Sequence, residues 1–380
     1  MSPIYRPTWA QVDLRRLRAN LIRLRRRMPK GTVTMLVVKA NAYGHGAVEV
    51  SLAAEGSGCI QWLGVSSVEE GIALRDAGVR KPILILGSLY QFESTMAAIR
   101  YGLRPTVASL DGVRLIAQAA QAMGRLEPGG RPARPLDCHL KIDTGMGRIG
   151  VRPAAVPEVV DALRRTPGVR LEGVYTHLAR AEDDPAYTRR QLTLFRECVR
   201  WIERTGLRVR LRHAANSAAA LRFPESRWDM VRPGLAAYGL YGEGFEPVLS
   251  LKTRIVFLKS VGPGTHLGYG RYFKARRTLR VATLPIGYGD GLPRLLSLGP
   301  ARAHVLVRGR RCPLVGALSM DMALVDVSRV ADVHIGEEAV LIGRSGAASI
   351  EVRELAAAAR TIPYEIVAGL AARVPRVYLR

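Results

Sequence analysis

Cysteine, lysine and aromatic residues are all scarce in this chain of 380 residues, and each scarcity narrows what it can be. The four cysteines, Cys59, Cys138, Cys198 and Cys312, are scattered without metal-ligand spacing, so neither a disulfide framework nor a metal site is expected. Aromatic content is 6%, whereas binding nucleic acid through basic clusters predicts aromatics interleaved with them. No apolar run approaches the ~18 residues of a membrane span. The opening MSPIYRPTWAQVDL has no basic segment followed by an apolar one, so a cytoplasmic address without a membrane partner is expected.

Acidic residues are also few, 32 against 57 basic ones, for a net charge of +25. The densest basic cluster, residues 14–30, sets Leu14, Leu17, Leu21, Leu24 and Met28 at helical spacing, so its arginines read as the solvated face of an amphipathic helix. Only seven of the basic residues are lysines, at 30, 39, 81, 141, 252, 259 and 274. Each therefore carries weight, because a desolvated lysine amine becomes a nucleophile near neutral pH and a guanidinium does not.

From residue 32 to about 241, eight β-branched runs alternate with helical stretches: TVTMLVVK, QWLGVS, KPILILG, RPTVAS, DCHLKID, RLEGVYTH, RVRLRHA and DMVRPG. That count suits an α/β fold of the (β/α)8 TIM-like barrel type, and no G-x-G-x-x-G follows the first run to favour an open dinucleotide-binding sheet. After about residue 242 the period becomes two, in RIVFLKSVG, TLRVATLPIG, AHVLVRGRRCPLVG, MALVDVS and EEAVLIG, which predicts a mostly antiparallel β domain. The expected domains are 1–241 and 242–380. In such a barrel chemistry gathers at the C-terminal strand ends. Lys39, Lys141 and Asp143, His177, Asn216 and Ser217, and Arg232 and Gly234 all fall there.

Several segments, in order, resemble the alanine racemase family across nearly the whole chain. They are VVKANAYGHG (37–46), HLKIDTGMGRIG (139–150), VYTHLARAE (174–182), HAANSAA (213–219), MVRPGLAAYGLYG (230–242), LGYGRYF (267–273), ATLPIGYGDG (282–291) and GALSMD (316–321). The resemblance implies a racemase that uses pyridoxal 5'-phosphate to interconvert L- and D-alanine and so feeds peptidoglycan. Lys39 would hold the cofactor as a Schiff base and act on one face of the substrate, with Tyr269 as acid or base on the other. His177 and Arg232 would support the Tyr269 phenolate, and Arg232 would face the pyridine nitrogen. Tyr43, Asn216, Ser217, Gly234 and Leu235 would complete the cofactor site. Arg148, Met320 and Asp321 would hold the substrate, Tyr288 would narrow its access, and Lys141 would be open to carbamylation.

The same resemblance implies a head-to-tail homodimer in which residues 242–380 complete the partner's site. Ala317, Gly289 and Ala372 depart from the family's arginine, alanine and tyrosine, which bears on cofactor affinity and substrate breadth. Two other functions compete with this one: a broader racemase acting on serine or basic residues, and a non-catalytic cofactor carrier, which would need no second domain.

Overall fold

The eight β-branched runs form eight parallel strands: Val33–Val37, Trp62–Val65, Ile83–Ser88, Arg104–Val107, Leu136–Lys141, Val169–Tyr175, Leu211–His213 and Met230–Val231. This computed structural model describes residues 5–123, 135–299 and 302–380; the expected domains also take in 1–4, 124–134, 300 and 301, which lie outside the described residues. Each strand pairs in parallel with the next through the seventh, and the eighth pairs with the first. Between the seventh and eighth only separate backbone bonds remain, from Asp229 N–H to Arg212 O (3.1 Å) and from Arg232 N–H to Ala215 O (2.9 Å), so the barrel is nearly closed. Helices such as Ala47–Gly56, Val68–Asp76 and Pro185–Arg204 cover the outside. This is the (β/α)8 architecture that the alternation of the sequence predicts.

In the helix Leu14–Arg27 the five apolar residues at helical spacing are all buried, Met28 just beyond its end included. Arg25, Arg26 and Arg27 are exposed in the last turn, where a cation complements the helix dipole. Asp13 accepts the N–H groups of Arg15 (3.0 Å) and Arg16 (3.3 Å) and so caps the other end.

The chain divides into two compact units, one made of Arg18–Ala40 and Ala47–Phe245, the other of the segment ending at Leu17, Asn41–Gly46 and Glu246–Arg380. The main sheet of the second unit runs Arg310–Pro313, His304–Val307, Glu338–Ser345, Leu249–Arg254, Thr8–Asp13 and Arg376–Leu379. All its pairings are antiparallel except Thr8–Asp13 with Arg376–Leu379. Phe257–Val261, Leu279–Leu284 and Ala323–Asp326 form a smaller antiparallel sheet. The strand Leu249–Arg254 was not picked out from the sequence, because Lys252 and Arg254 interrupt its apolar character; its buried residues nevertheless alternate. Among the described residues no helix is long and apolar enough to cross a membrane, and all four cysteines are buried free thiols.

Directly after the first barrel strand the backbone turns left-handed. Ala40, Asn41, Ala42 and Tyr43 have φ of 51°, 54°, 52° and 53°, and Gly44 follows at 77°. For residues with a Cβ this conformation costs roughly 1–2 kcal/mol each, so the surroundings must hold it. They do so closely: a Cβ on Gly44 would lie 1.9 Å from Val367 O, and one on Gly46 1.8 Å from the Tyr378 hydroxyl oxygen. Arg376 Nε donates to Gly44 O (3.0 Å), and the buried His45 ring bonds Tyr43 O through Nδ1 (2.8 Å). Gly31 gives a contrast, with φ of +86° and nothing within 4 Å of where a Cβ would stand. Gly44→Ala should therefore lower unfolding free energy by about 2–3 kcal/mol, and Gly31→Ala by about 1 kcal/mol. Denaturant titration of both variants measures this, and equal losses would show that packing against Val367 does not hold the turn.

Candidate active site

Lys39 opens the left-handed turn, and its peptide is gripped from the neighbouring strand end. Glu70 Oε1 accepts the Ala40 N–H (2.7 Å) while Oε2 accepts the Ser66 N–H (2.7 Å) and hydroxyl (2.9 Å). Burial, followed by the Arg148 charge, holds the Lys39 amine below the ordinary lysine range, with Glu70 opposing. Lys141 ends its strand almost fully buried over the Tyr175 ring, with Nζ 5.5 Å from the centroid. Burial, then Arg148, Arg232 and Lys39, push its amine down to about 8. Asp143 folds the following loop, accepting the N–H groups of Gly145 (3.0 Å), Met146 (2.8 Å) and Gly147 (3.1 Å), and so sets the backbone leading to Arg148. Burial pushes the Asp143 carboxyl up, but those three donors pull it further down.

His177 lies just beyond the strand Val169–Tyr175. Burial takes its ring well below the usual histidine range, and the Arg232, Lys141, Arg148 and Lys39 charges add to this, so it is neutral near pH 7. Gln191, wholly buried, braces the loop by donating to His177 O (3.1 Å) and accepting the Ala179 N–H (2.9 Å). Arg232 is buried as well, and burial lowers its pKa to about 10, still a cation near pH 7. Its bonds go to His213 Nδ1 (2.9 Å), Thr176 O (2.7 Å) and Ala214 O (3.1 Å). None of these acceptors is a carboxylate.

Asn216 caps the helix Ser217–Arg222 through the Ala219 N–H (3.0 Å). The Ser217 hydroxyl oxygen accepts the N–H groups of Gly234 (2.9 Å) and Ala236 (3.2 Å), which leaves its proton to donate elsewhere and ties Gly234 and Leu235 to the seventh strand end. The barrel thus gathers Lys39, Lys141, Arg148, His177, Asn216, Ser217, Arg232, Gly234 and Leu235 at one end, as the sequence places them.

Tyr43, Tyr269, Tyr288, Met320 and Asp321 belong to the other unit. Tyr43 is buried with its ring 5.9 Å from that of Tyr364, and burial pushes its phenol up. Tyr269 lies between Gly268 and Gly270, at φ of 73° and 71°, and is 70% exposed. The segment from Gly316 packs onto it backbone to backbone, since a Cβ on Gly316 would stand 2.5 Å from Leu267 O. Tyr288 N–H donates to Ser319 O (3.1 Å) and Gly289 N–H to Met320 O (2.8 Å). Beneath them Asp290 is completely buried, bonded to Arg6 through Nη1 (2.7 Å), to the Gly287 N–H (2.8 Å) and to Arg373 Nε (2.8 Å). Burial raises its carboxyl, but these donors hold it below the ordinary range. Arg373 Nη2 in turn pairs with Asp321 (2.8 Å) and donates to Met320 O (3.2 Å).

Glu70, Gln191, Asp290 and Arg373 were not singled out from the sequence. Only Ser67-x-x-Glu70, with its capping-box spacing, and the lone acid of PIGYGDG hinted at two of them.

Residues 12–242 match the family described as "Alanine racemase, N-terminal domain", and residues 248–378 match "Alanine racemase, C-terminal domain". The alanine racemase of Symbiobacterium thermophilum is 46% identical over 382 residues, covering 98% of this chain and 97% of its own. Among solved structures, the alanine racemase of the D-cycloserine producer Streptomyces lavendulae is similar at a TM-score of 0.91 and 35% identity, covering 100% of this chain and 98% of its own. The Bacillus anthracis alanine racemase with bound L-Ala-P is similar at 0.90 and 34%, covering 100% and 96%. With both of its domains matched in order and relatives alike over nearly their full length, this chain belongs to the alanine racemase family.

Proposed function

We propose that this chain is a pyridoxal-phosphate-dependent alanine racemase that interconverts L- and D-alanine in the cytoplasm and supplies D-alanine for peptidoglycan. The observation that carries the reading is the gathering of four basic side chains, Lys39, Lys141, Arg148 and Arg232, about one neutral histidine, His177, at the barrel mouth. That donor set fits pyridoxal phosphate. Its phosphate and phenolic oxygen are anionic, and its aldehyde calls for an amine that is neutral near pH 7, a state toward which burial moves Lys39. Lys39, Tyr43, Arg148, His177, Asn216, Ser217, Arg232, Gly234 and Leu235 would hold it. When bound, the cofactor supplies an electron sink that acidifies the substrate α-carbon.

The chain's own groups then handle the proton. Lys39 removes or returns it on one face of the α-carbon and Tyr269 on the other, because inversion requires a donor opposite the acceptor. The Arg232 charge, with His177, would support a phenolate at Tyr269. Arg232 can only donate toward a pyridine nitrogen, so it supplies no carboxylate to keep that atom protonated, which disfavours decarboxylation and transamination. Arg148, the Met320 N–H and Asp321 orient the substrate, and Tyr288 restricts access to small side chains.

Tyr269, Tyr288 and Met320 are 70%, 42% and 54% exposed in the single chain. Exposed apolar groups on a well-braced surface support a head-to-tail homodimer in which the domain 242–380 completes the site on the partner's domain 1–241.

With added pyridoxal phosphate in deuterated buffer, the native chain should turn L-alanine into D-alanine carrying deuterium at the α-carbon. Tyr269→Phe should slow this by at least about 100-fold, the scale of a lost acid or base. Mass spectrometry and chiral chromatography read both; a native chain that leaves alanine untouched would sink the reading.

Lys141 is proposed to carry a carbamate, formed when its neutral amine adds to carbon dioxide and releases a proton, so that an anion faces Arg148. Because the amine titrates near 8, its reactive form grows as pH rises through that value. Carbon-13 NMR in labelled bicarbonate should show a carbamate signal that strengthens over this range and vanishes in Lys141→Ala. A native protein without the signal would show a free amine.

A further inference from the structure

Beneath Arg232 the barrel core holds a column of polar side chains that the proposed chemistry does not use. Arg232 Nη1 lies 2.9 Å from His213 Nδ1, His213 Nε2 lies 2.9 Å from His139 Nδ1, and His139 Nε2 lies 3.8 Å from Glu172 Oε2. Both imidazoles are 0% exposed and Glu172 is 5% exposed. The His139 Nε2 atom is buried with no partner at hydrogen-bond distance among the described residues, and Glu172 is the acceptor facing it. The rings are fixed by their neighbours: Tyr175 stacks on His213 at 4.8 Å and 5°, and Trp62 lies 5.3 Å from His139. A Cβ on Gly173 would come within 2.6 Å of the His139 ring, so this glycine makes room for it.

Glu172 belongs to the far end of the barrel. Its oxygens take Arg104 Nε (3.0 Å) and Arg210 Nη1 (3.4 Å); Arg104 opens its strand and Arg210 immediately precedes one. Asp137 also faces Arg104, at 3.4 Å.

The direction of the column follows from donor chemistry. A guanidinium only donates, so His213 Nδ1 accepts and its proton sits on Nε2. That proton points to His139 Nδ1, which therefore accepts, leaving the His139 proton on Nε2, toward Glu172. The rings have one proton each, since burial holds both below the usual histidine range, with the Arg232 charge next for His213 and Glu172 opposing for His139. The inverted arrangement would turn a His213 N–H against the N–H of Arg232.

We propose that Glu172 is a positioning residue for the site at the opposite end of the barrel: as the carboxylate facing His139 Nε2 it favours a proton on that atom, and so supports the tautomers that keep His213 an acceptor for Arg232. The proposal rests on the reading of Arg232 as a cofactor-facing group. Its effect is on orientation. Without an acceptor at the bottom of the column, the buried His139 N–H is relieved by inversion of both rings, and Arg232 loses one of three bonds.

Nitrogen-15 spectra of the histidine-labelled chain, recorded without added cofactor, test the direction, alongside kcat/KM for alanine with pyridoxal phosphate. The native protein should carry both protons on Nε2. Glu172→Leu should move them to Nδ1 and lower kcat/KM by at least about 10-fold, the scale of a lost outer hydrogen-bond partner. Glu172→Gln keeps an oxygen for Arg104 and His139 and should restore the native tautomers and most of the activity. If the acid served only to neutralise Arg104 and Arg210, glutamine would be as damaging as leucine, and that result overturns the proposal. So does a native spectrum with Nδ1 protonated on either ring, a measurement that stands even if Glu172→Leu fails to fold. A native chain that leaves alanine untouched overturns the functional reading of Arg232, whereas the spectra report the hydrogen-bond direction by themselves.

Discussion

A guanidinium buried without a carboxylate governs the inside of this barrel. Isolating such a charge from water costs several kcal/mol unless its protons are received, and Arg232 meets that demand with two backbone carbonyls and a neutral imidazole. Neutral acceptors leave the net charge in place. Burial leads in lowering the Lys141 amine and in keeping His177 and His213 unprotonated, and the Arg232 charge adds to it at all three. The barrel interior also departs from the usual layers of branched aliphatic side chains, since His139, His213 and Tyr175 are buried in it.

The second unit treats buried charge the other way. There the buried group is an acid, Asp290, and two arginines answer it directly. Its role is to brace a surface, since Arg373 passes the support on to Asp321 and to the Met320 carbonyl. One unit keeps an uncompensated cation that can act on what binds near it, and the other uses a compensated anion to stiffen what it presents.

Much of the fold was legible because it follows from periodicity. Eight β-branched runs became eight strands, and Leu14, Leu17, Leu21, Leu24 and Met28 turned inward as their spacing requires. That Lys39, Lys141, His177 and Arg232 lie at strand ends was legible from the same alternation, whereas the roles expected of them came from the family resemblance, because a lysine or histidine at a strand end is as often an ion-pair or core residue. What escaped was whatever depends on long-range pairing. Thr8–Asp13 joins a sheet whose other strands come more than 200 residues later, and no local pattern encodes that. Glu70 went unnoticed, because its bond to the Ala40 peptide exists only once two strand ends are side by side. The left-handed turn was hidden for a different reason: alanine and tyrosine disfavour it, so its cause lies in tertiary packing and not in Ala40–Tyr43 themselves.

That turn also has a history within the chain. Its clamps, Val367, Arg376 and Tyr378, follow Gly44 by more than 300 residues, and Arg376 alone spans 332 positions to reach it. A ribosome finishes the barrel strands long before it supplies those side chains. The left-handed turn after Lys39 therefore has none of these clamps until the final segment of the chain has been made.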